Sequence, residues 1–215
     1  MEFYDKTLYN KVMEVFERSG NDKEAINIVS GLPRSGTSMM MQLLQLGGLE
    51  PFTDNIRETD SRNPRGYFEF EPVKDRLSYD QWLPDACGGA LKVVSRFIPY
   101  LPSTYRYNIV FMHRRMDEVI RSQQDMAEHY SNSHWDDTSA DRLREIYQRH
   151  LDAVLGWIKN RPNMRLCQFH YEEILSAPEQ NLNQLCDFFK HIPLDFKKMA
   201  GGINAQLDHS RHAGS

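Results

Sequence analysis

The chain has 215 residues, 40% of them hydrophobic, which is enough for one domain with a substantial core. This composition excludes wholesale disorder, a collagen-like chain and a disulfide scaffold. Lys and Arg number 26 against 30 Asp and Glu, and the net charge of -4 gives no reason to expect a nucleic acid as partner. Any anion site must therefore be local.

The cysteines and the hydropathy pattern indicate the cellular compartment of the protein. Cys87, Cys167 and Cys186 lie far apart and in no paired spacing, which predicts neither a disulfide framework nor a zinc site. The first 20 residues are charged throughout, and no apolar stretch approaches the length needed to span a bilayer. We expect a cytoplasmic protein in a reducing compartment, with no membrane partner. The sequence does not indicate its oligomeric state.

Helical and strand patterns alternate along the chain. An amphipathic N-terminal helix is predicted within residues 1–24. Short apolar runs typical of buried strands then follow at Ala25–Ser30, Ala90–Val94, Asn108–His113 and Met164–Phe169. Helical periodicity is found at Ser35–Leu46, Asp117–Tyr130, Ser139–Lys159 and Pro178–Lys190. This order predicts a single α/β domain over residues 1–215 with a parallel sheet, a polar surface loop at Thr53–Arg65 and a flexible tail at 201–215.

Residues 31–38, GLPRSGTS, lie where the first predicted strand turns into a helix. We call them the glycine turn. They carry the G-x-x-x-x-G frame of a P-loop, in which backbone N–H groups and the positive end of a helix surround a phosphate group. Arg34 is the cation of the turn, and Thr37 stands where a nucleoside triphosphatase has its lysine. The turn predicts anion binding and disfavours ordinary ATPase chemistry.

Within the turn, PRSGTS resembles the 5′-phosphosulfate-binding loop of sulfotransferases that use 3′-phosphoadenosine 5′-phosphosulfate (PAPS), which reads P-[KR]-S-G-T-[TS]. The resemblance is to bacterial-type members of that family and runs from about Ile26 to Phe189. It implies a P-loop NTPase-like three-layer fold with a central parallel sheet flanked by helices. It also implies that the 5′ end of PAPS is held by Arg34, Ser35, Gly36, Thr37 and Ser38.

Two further segments resemble the same family. In NIVFMHRRMDEVIRSQ, Arg114 follows a strand and Ser122 lies eight positions later, the spacing of the pair that holds the 3′-phosphate, with Arg115 as an alternative. The stretch from Arg165 to Lys190 resembles a scaffold element, in which Tyr171 either lies near the nucleotide or serves packing. The R-K-G-type segment with which many cytosolic members clamp the 3′-phosphate is absent, which leaves selectivity for that phosphate open.

The resemblance also implies catalytic residues. Arg34 and Lys92, the latter from the family's L-K element, would stabilise the transferring group. Cytosolic members have a histidine base two residues after that lysine, and Val94 occupies the place here. NPRGYFEFEPVK resembles the carboxylate-bearing segment of other members, with Glu69 as first choice of base and Glu71 as second. Alternation along an extended chain would place both glutamates on one side. The alternative is that this segment is an edge strand whose glutamates are simply solvated.

The function implied is transfer of a sulfuryl group from PAPS to the hydroxyl of a small molecule, a carbohydrate or a tyrosyl residue. The product would be 3′-phosphoadenosine 5′-phosphate (PAP), and no metal is expected. The acceptor pocket is expected near Thr53–Arg65 and Tyr130–Thr138. The alternatives are a P-loop small-molecule kinase, a catalytically inactive nucleotide-binding protein, and an interaction protein on the same fold.

Overall fold

A parallel sheet forms the centre of the computed structural model, which describes residues 25–54, 68–131 and 140–203. In the order of the chain, its strands are β1 (Ile26–Gly31), β2 (Pro51–Phe52), β3 (Ala90–Val94), β4 (Tyr107–His113) and β5 (Met164–His170). In the sheet they lie in the order β2-β3-β1-β4-β5. The central strands are buried on both faces, which explains their nearly continuous apolar sequences.

Helices cover both faces of the sheet. Their bounds are α1 (Thr37–Leu46), α2 (Tyr79–Trp82), α3 (Met116–Ser131), α4 (Ala140–Lys159), α5 (Tyr171–Ser176) and α6 (Pro178–Phe188), and residues 196–203 are also helical. Short 3₁₀ turns occur at Glu71–Lys74, Leu83–Ala86 and Ser95–Tyr100. One apolar cluster joins the sheet to α2, α3 and α4, and a second joins it to α1, α5 and α6. The predicted three-layer fold is confirmed.

The four predicted strands are each found within one residue of their predicted ends, and the four helices predicted after residue 34 within two. The short elements β2, α2 and α5 and the 3₁₀ turns were missed, because two to six residues show too little periodicity. The tail prediction was wrong for 201–203, which are helical and contain the fully buried Ile203. The N-terminal helix, residues 55–65 of the predicted loop and residues 204–215 lie outside the described residues. No described helix combines the length and hydropathy needed to cross a bilayer.

A ladder of polar side chains fixes the strand register near the amino ends of β1, β4 and β5. Asn27, Asn108 and Arg165 are paired across the three strands. Asn108 Nδ2 donates to Asn27 Oδ1 at 2.9 Å, and Asn27 Nδ2 donates to Gly89 O at 3.0 Å. Because the ladder aligns the strands at one edge, Gly31 lies beside Val94 and Met112 at the other.

We expect Asn108→Ala to destabilise the fold by about 1–3 kcal/mol, since Asn27 Oδ1 would lose its buried donor. The free energy of unfolding in urea measures this. Asn160→Ala removes an exposed side-chain bond to Gly156 O and is the matched control, with an expected loss of less than about 0.5 kcal/mol. Equal losses in the two variants would show that the ladder does not hold the register.

Candidate functional site

The glycine turn joins the carboxyl end of β1 to α1 through backbone conformations that side chains rarely allow. Gly36 precedes α1 with φ 94°, and Arg34 has φ 73° although it is not a glycine. A Cβ atom at Gly36 would lie 2.6 Å from Tyr171 Cδ2, and one at Gly31 would lie 2.6 Å from Met112 O. Both glycines are therefore required for the turn to pass this close to β4 and α5.

A buried hydroxyl group in the turn has no partner. Ser35 is 2% exposed, and within the described residues its Oγ makes no hydrogen bond. A buried hydroxyl without a partner is costly, and here it lies just before the first turn of α1, where helix N–H groups are also unsatisfied. The oxygen of a bound anion would accept from both kinds of donor, so the turn fits a phosphate group.

Two arginines meet at the glycine turn. Arg34 Nε donates to Ser122 Oγ at 2.8 Å, and Arg114 Nη1 donates to Arg34 O at 3.3 Å. The Arg114 guanidinium also lies over the ring of Tyr171, 4.5 Å from its centroid. The structure thus brings Arg34, Arg114, Ser122 and Tyr171 to one place, although Arg114 and Ser122 each contact Arg34 rather than one another.

Glu118 holds Arg114 in this position. Its Oε2 lies 2.8 Å from Arg114 Nε, and its other oxygen accepts from Arg115. Burial raises the pKa of Glu118, but the hydrogen bonds from the two arginines outweigh this and lower the pKa overall, so the carboxylate stays ionised. The side chain of Arg115 is 70% exposed and also pairs with Glu172. Arg114, not Arg115, is the arginine whose side chain bonds the turn.

A cation and a carboxylate lie beside the first turn of α1. Lys92 Nζ donates to Ser38 Oγ at 3.1 Å and lies 4.0 Å from Glu69 Oε1. The side chains are 10% and 30% exposed respectively, so the pair is largely shielded from solvent, and Lys92 is the third of the five residues of β3. Thr37, 7% exposed, begins α1 next to Ser38. The arrangement can place a positive charge and a proton acceptor on the same side of a bound anion.

Glu71 does not join this pair. Its carboxylate is 44% exposed and bonds Lys74 Nζ at 2.6 and 2.7 Å. Phe70, between the two glutamates, is extended, but Phe68 has φ 53° and Glu71 begins a 3₁₀ turn, so the extended segment is short. Pro72 fixes the backbone for that turn, so Glu69 and Glu71 take different surroundings.

Sequence reasoning missed several polar contacts at this edge of the sheet. His150 Nε2 lies 2.8 Å from Ser95 Oγ, directly after β3, and Gln123 Nε2 donates to Pro33 O in the glycine turn at 2.9 Å. His113 Nε2 lies 3.0 Å from Gln168 Oε1. These residues belong to no recognisable motif, and their partners are 55 to 90 positions away, so the sequence carries no signal for them.

We predict that the free energy of unfolding depends on pH, because two histidines are partly buried. Burial is the largest effect on both groups and lowers the pKa of His113 and of His150 below the usual 6.5. The unfolded chain therefore takes up protons first as the pH falls below 6.5, and the free energy of unfolding decreases. We expect this decrease in urea titrations between pH 7.5 and 5.5. His150→Gln keeps a side chain able to bond Ser95 and should reduce the slope, and an unchanged slope would exclude His150 as a contributor.

Solved structures with a similar fold are sulfotransferases. Mouse sulfotransferase SULT7A1 complexed with PAP is 18% identical with a TM-score of 0.51, covering 91% of this chain and 68% of that one. Sulfotransferase STF1 from Mycobacterium tuberculosis H37Rv is 17% identical with a TM-score of 0.53, covering 93% and 74%. The sulfotransferase domain from the curacin biosynthetic pathway is 15% identical with a TM-score of 0.45, covering 81% and 76%.

The sequence comparison identifies the family. No curated protein sequence matches the chain. The profile of the sulfotransferase family matches residues 78–195, which include β3, β4, β5 and the helices between them. This match spans more than half of the 215 residues and agrees with the fold of the two solved sulfotransferases whose TM-scores exceed 0.5. The chain therefore belongs to the sulfotransferase family.

Proposed function

We propose that this protein transfers a sulfuryl group from PAPS to an acceptor hydroxyl, and that the glycine turn holds the 5′ end of the nucleotide. PAPS, when bound, supplies a sulfuryl group already activated by a phosphate leaving group. The observation that carries the proposal is the buried, unpartnered Ser35 hydroxyl in a turn that also bears Arg34 and the amino end of α1. Family membership and the likeness to a sulfotransferase complexed with PAP support it.

The residues of the turn would bind the 5′-phosphate in two ways. The Ser35 hydroxyl and the N–H groups of Gly36, Thr37 and Ser38 supply hydrogen-bond donors at the positive end of the α1 dipole. Arg34 supplies a permanent charge and a planar set of donors. A phosphate with several oxygen acceptors satisfies these donors together, which compensates for their desolvation.

Arg114 is proposed to recognise the 3′-phosphate. Its guanidinium is already oriented by Glu118 and by the Tyr171 ring, so little side-chain entropy remains to be lost on binding. Ser122 lies at the same turn and is bonded to Arg34, which lets it contribute a hydroxyl to either phosphate. Tyr171 supports both parts of the site, since it packs against Gly36 and under Arg114.

Lys92 and Glu69 are proposed to act on the reacting groups. Lys92 would stabilise negative charge on the transferring oxygens. Glu69 would accept the proton of the acceptor hydroxyl. The acceptor oxygen would then form a bond to sulfur while the bond from sulfur to the phosphate oxygen breaks. Glu71 remains the second choice of base, and its pairing with Lys74 makes Glu69 the better one.

The nucleotide preference tests the donor. In calorimetric titrations we expect PAP to bind more tightly than AMP, and more tightly than ATP with Mg²⁺. Arg114→Ala should weaken PAP binding about tenfold to a hundredfold and AMP binding less, because a charge-assisted contact to the 3′-phosphate is lost in addition to the bond to Arg34 O in the glycine turn. Arg115→Ala is the matched control and should keep the preference. Tightest binding of ATP with Mg²⁺ would favour a kinase instead.

The choice of base is tested with Glu69→Gln. We expect PAP release from PAPS, measured with phenolic, carbohydrate and tyrosyl acceptors, to fall about 10²- to 10⁴-fold while the Kd for PAP stays unchanged. Glu71→Gln is the control and should retain most of the activity. Loss in Glu71→Gln alone would transfer the role to Glu71, and unchanged turnover in both would exclude carboxylate catalysis from this segment.

A further inference from the structure

A side chain of α3 bonds the backbone of the glycine turn next to Arg34, the residue with a strained conformation. Arg34 has φ 73°, a conformation that residues with a side chain rarely adopt on their own. The carbonyl just before it, Pro33 O, accepts from Gln123 Nε2 at 2.9 Å. Gln123 lies on α3 next to Ser122, which bonds the Arg34 side chain. Two consecutive residues of α3 thus bond two consecutive residues of the turn.

The Gln123 amide is bonded at both ends, by Pro33 O and by the Tyr147 hydroxyl. The Tyr147 hydroxyl donates to Gln123 Oε1 at 2.6 Å, so the opposite end of the amide, Nε2, faces Pro33 O. The reverse orientation would set the amide oxygen against the Pro33 carbonyl oxygen, which can only accept, whereas the Tyr147 hydroxyl can either donate or accept. Burial is the largest effect on Tyr147 and raises its pKa, so the hydroxyl keeps its proton at neutral pH.

The tyrosine is held on a rigid support. Tyr147 lies on α4, whose next turns bury Leu151 and Val154 against the sheet. Its ring packs on the same apolar cluster, so the hydroxyl has a fixed position relative to β1 and β4. A chain of two hydrogen bonds therefore runs from this helix through Gln123 to the glycine turn.

We propose that Gln123 and Tyr147 are positioning residues, which hold the Pro33 carbonyl toward α3 so that the N–H groups of residues 36–38 stay directed at the anion. Without this hold, the peptide between Pro33 and Arg34 can rotate, and its carbonyl oxygen then competes with the anion for the same donors. The inference rests on the proposed function, because it concerns affinity for the 5′ end of the nucleotide that the turn would bind.

The test uses Tyr147→Phe, which removes only the hydroxyl, Gln123→Met, which keeps the length of the side chain, and the double variant. PAP and AMP are titrated into the full chain by calorimetry. We expect about threefold to tenfold weaker binding for each single variant, the usual effect of one neutral hydrogen bond. PAP and AMP should weaken by the same factor, since the 5′ end is shared. The double variant should bind as weakly as Gln123→Met, because both changes act through one amide.

A general loss of structure gives a different result. Partial unfolding lowers the binding stoichiometry and the Tm, whereas the proposed role raises Kd at unchanged stoichiometry. Gln148→Met is the matched control on α4, since among the described residues the exposed Gln148 bonds only Asp152, at 3.0 Å, and the variant should bind both nucleotides as the wild type does. Should Gln123→Met fail to fold, Tyr147→Phe decides alone.

The outcomes separate this inference from the proposed function. Wild-type binding of PAP with unchanged Kd in Tyr147→Phe and Gln123→Met would overturn the positioning role and leave the proposed function standing. Weakening of PAP but not of AMP would also overturn it, because the effect would then lie at the 3′-phosphate. Failure of the wild type to bind either nucleotide would remove the proposed function, and this inference with it.

Discussion

The parallel register of β1 with β3 and β4 is the constraint on which the site depends. It places Gly31 between Val94 and Met112, so that three strands end at one edge of the sheet. The glycine turn begins at this edge, and Lys92 and Arg114 reach it from the neighbouring strands. The polar ladder of Asn27 and Asn108 fixes this register near the other edge, where an unpaired amide would be costly. The hydrogen bonds that stabilise the amino ends of the strands therefore also set the positions of the residues at their carboxyl ends.

Close packing around the turn explains why its residues are so restricted. Gly36 lies where any side chain would meet Tyr171, and Gly31 lies where it would meet the backbone of β4. Tyr171 in turn supports the Arg114 guanidinium, which bonds Arg34 O. A change at any of these positions alters the direction of the N–H groups next to it. The same packing buries the Ser35 hydroxyl, which has no hydrogen-bond partner among the described residues.

The charged side chains of the site are arranged in two groups. Arg34, Arg114 and Glu118 lie at the start of α3, and Lys92 and Glu69 lie beside the start of α1. Each cationic group contacts a polar or acidic partner that orients it. These cations are therefore oriented by the protein itself, and they are gathered here although the chain as a whole is acidic.

The sequence by itself determined β1, β3, β4 and β5, the longer helices and the glycine turn. Continuous apolar runs, helical periodicity and glycine spacing are local signals, and they suffice because each element buries its own apolar residues. Only the tertiary structure shows that Arg114 rather than Arg115 bonds the glycine turn, and that Glu69 and Glu71 have different partners. In each pair the residues are the same type and adjacent or nearly so, so only the neighbours supplied by distant segments distinguish them. The same reason applies to Gln123, Tyr147 and His150, whose contacts are created by strand register and helix packing.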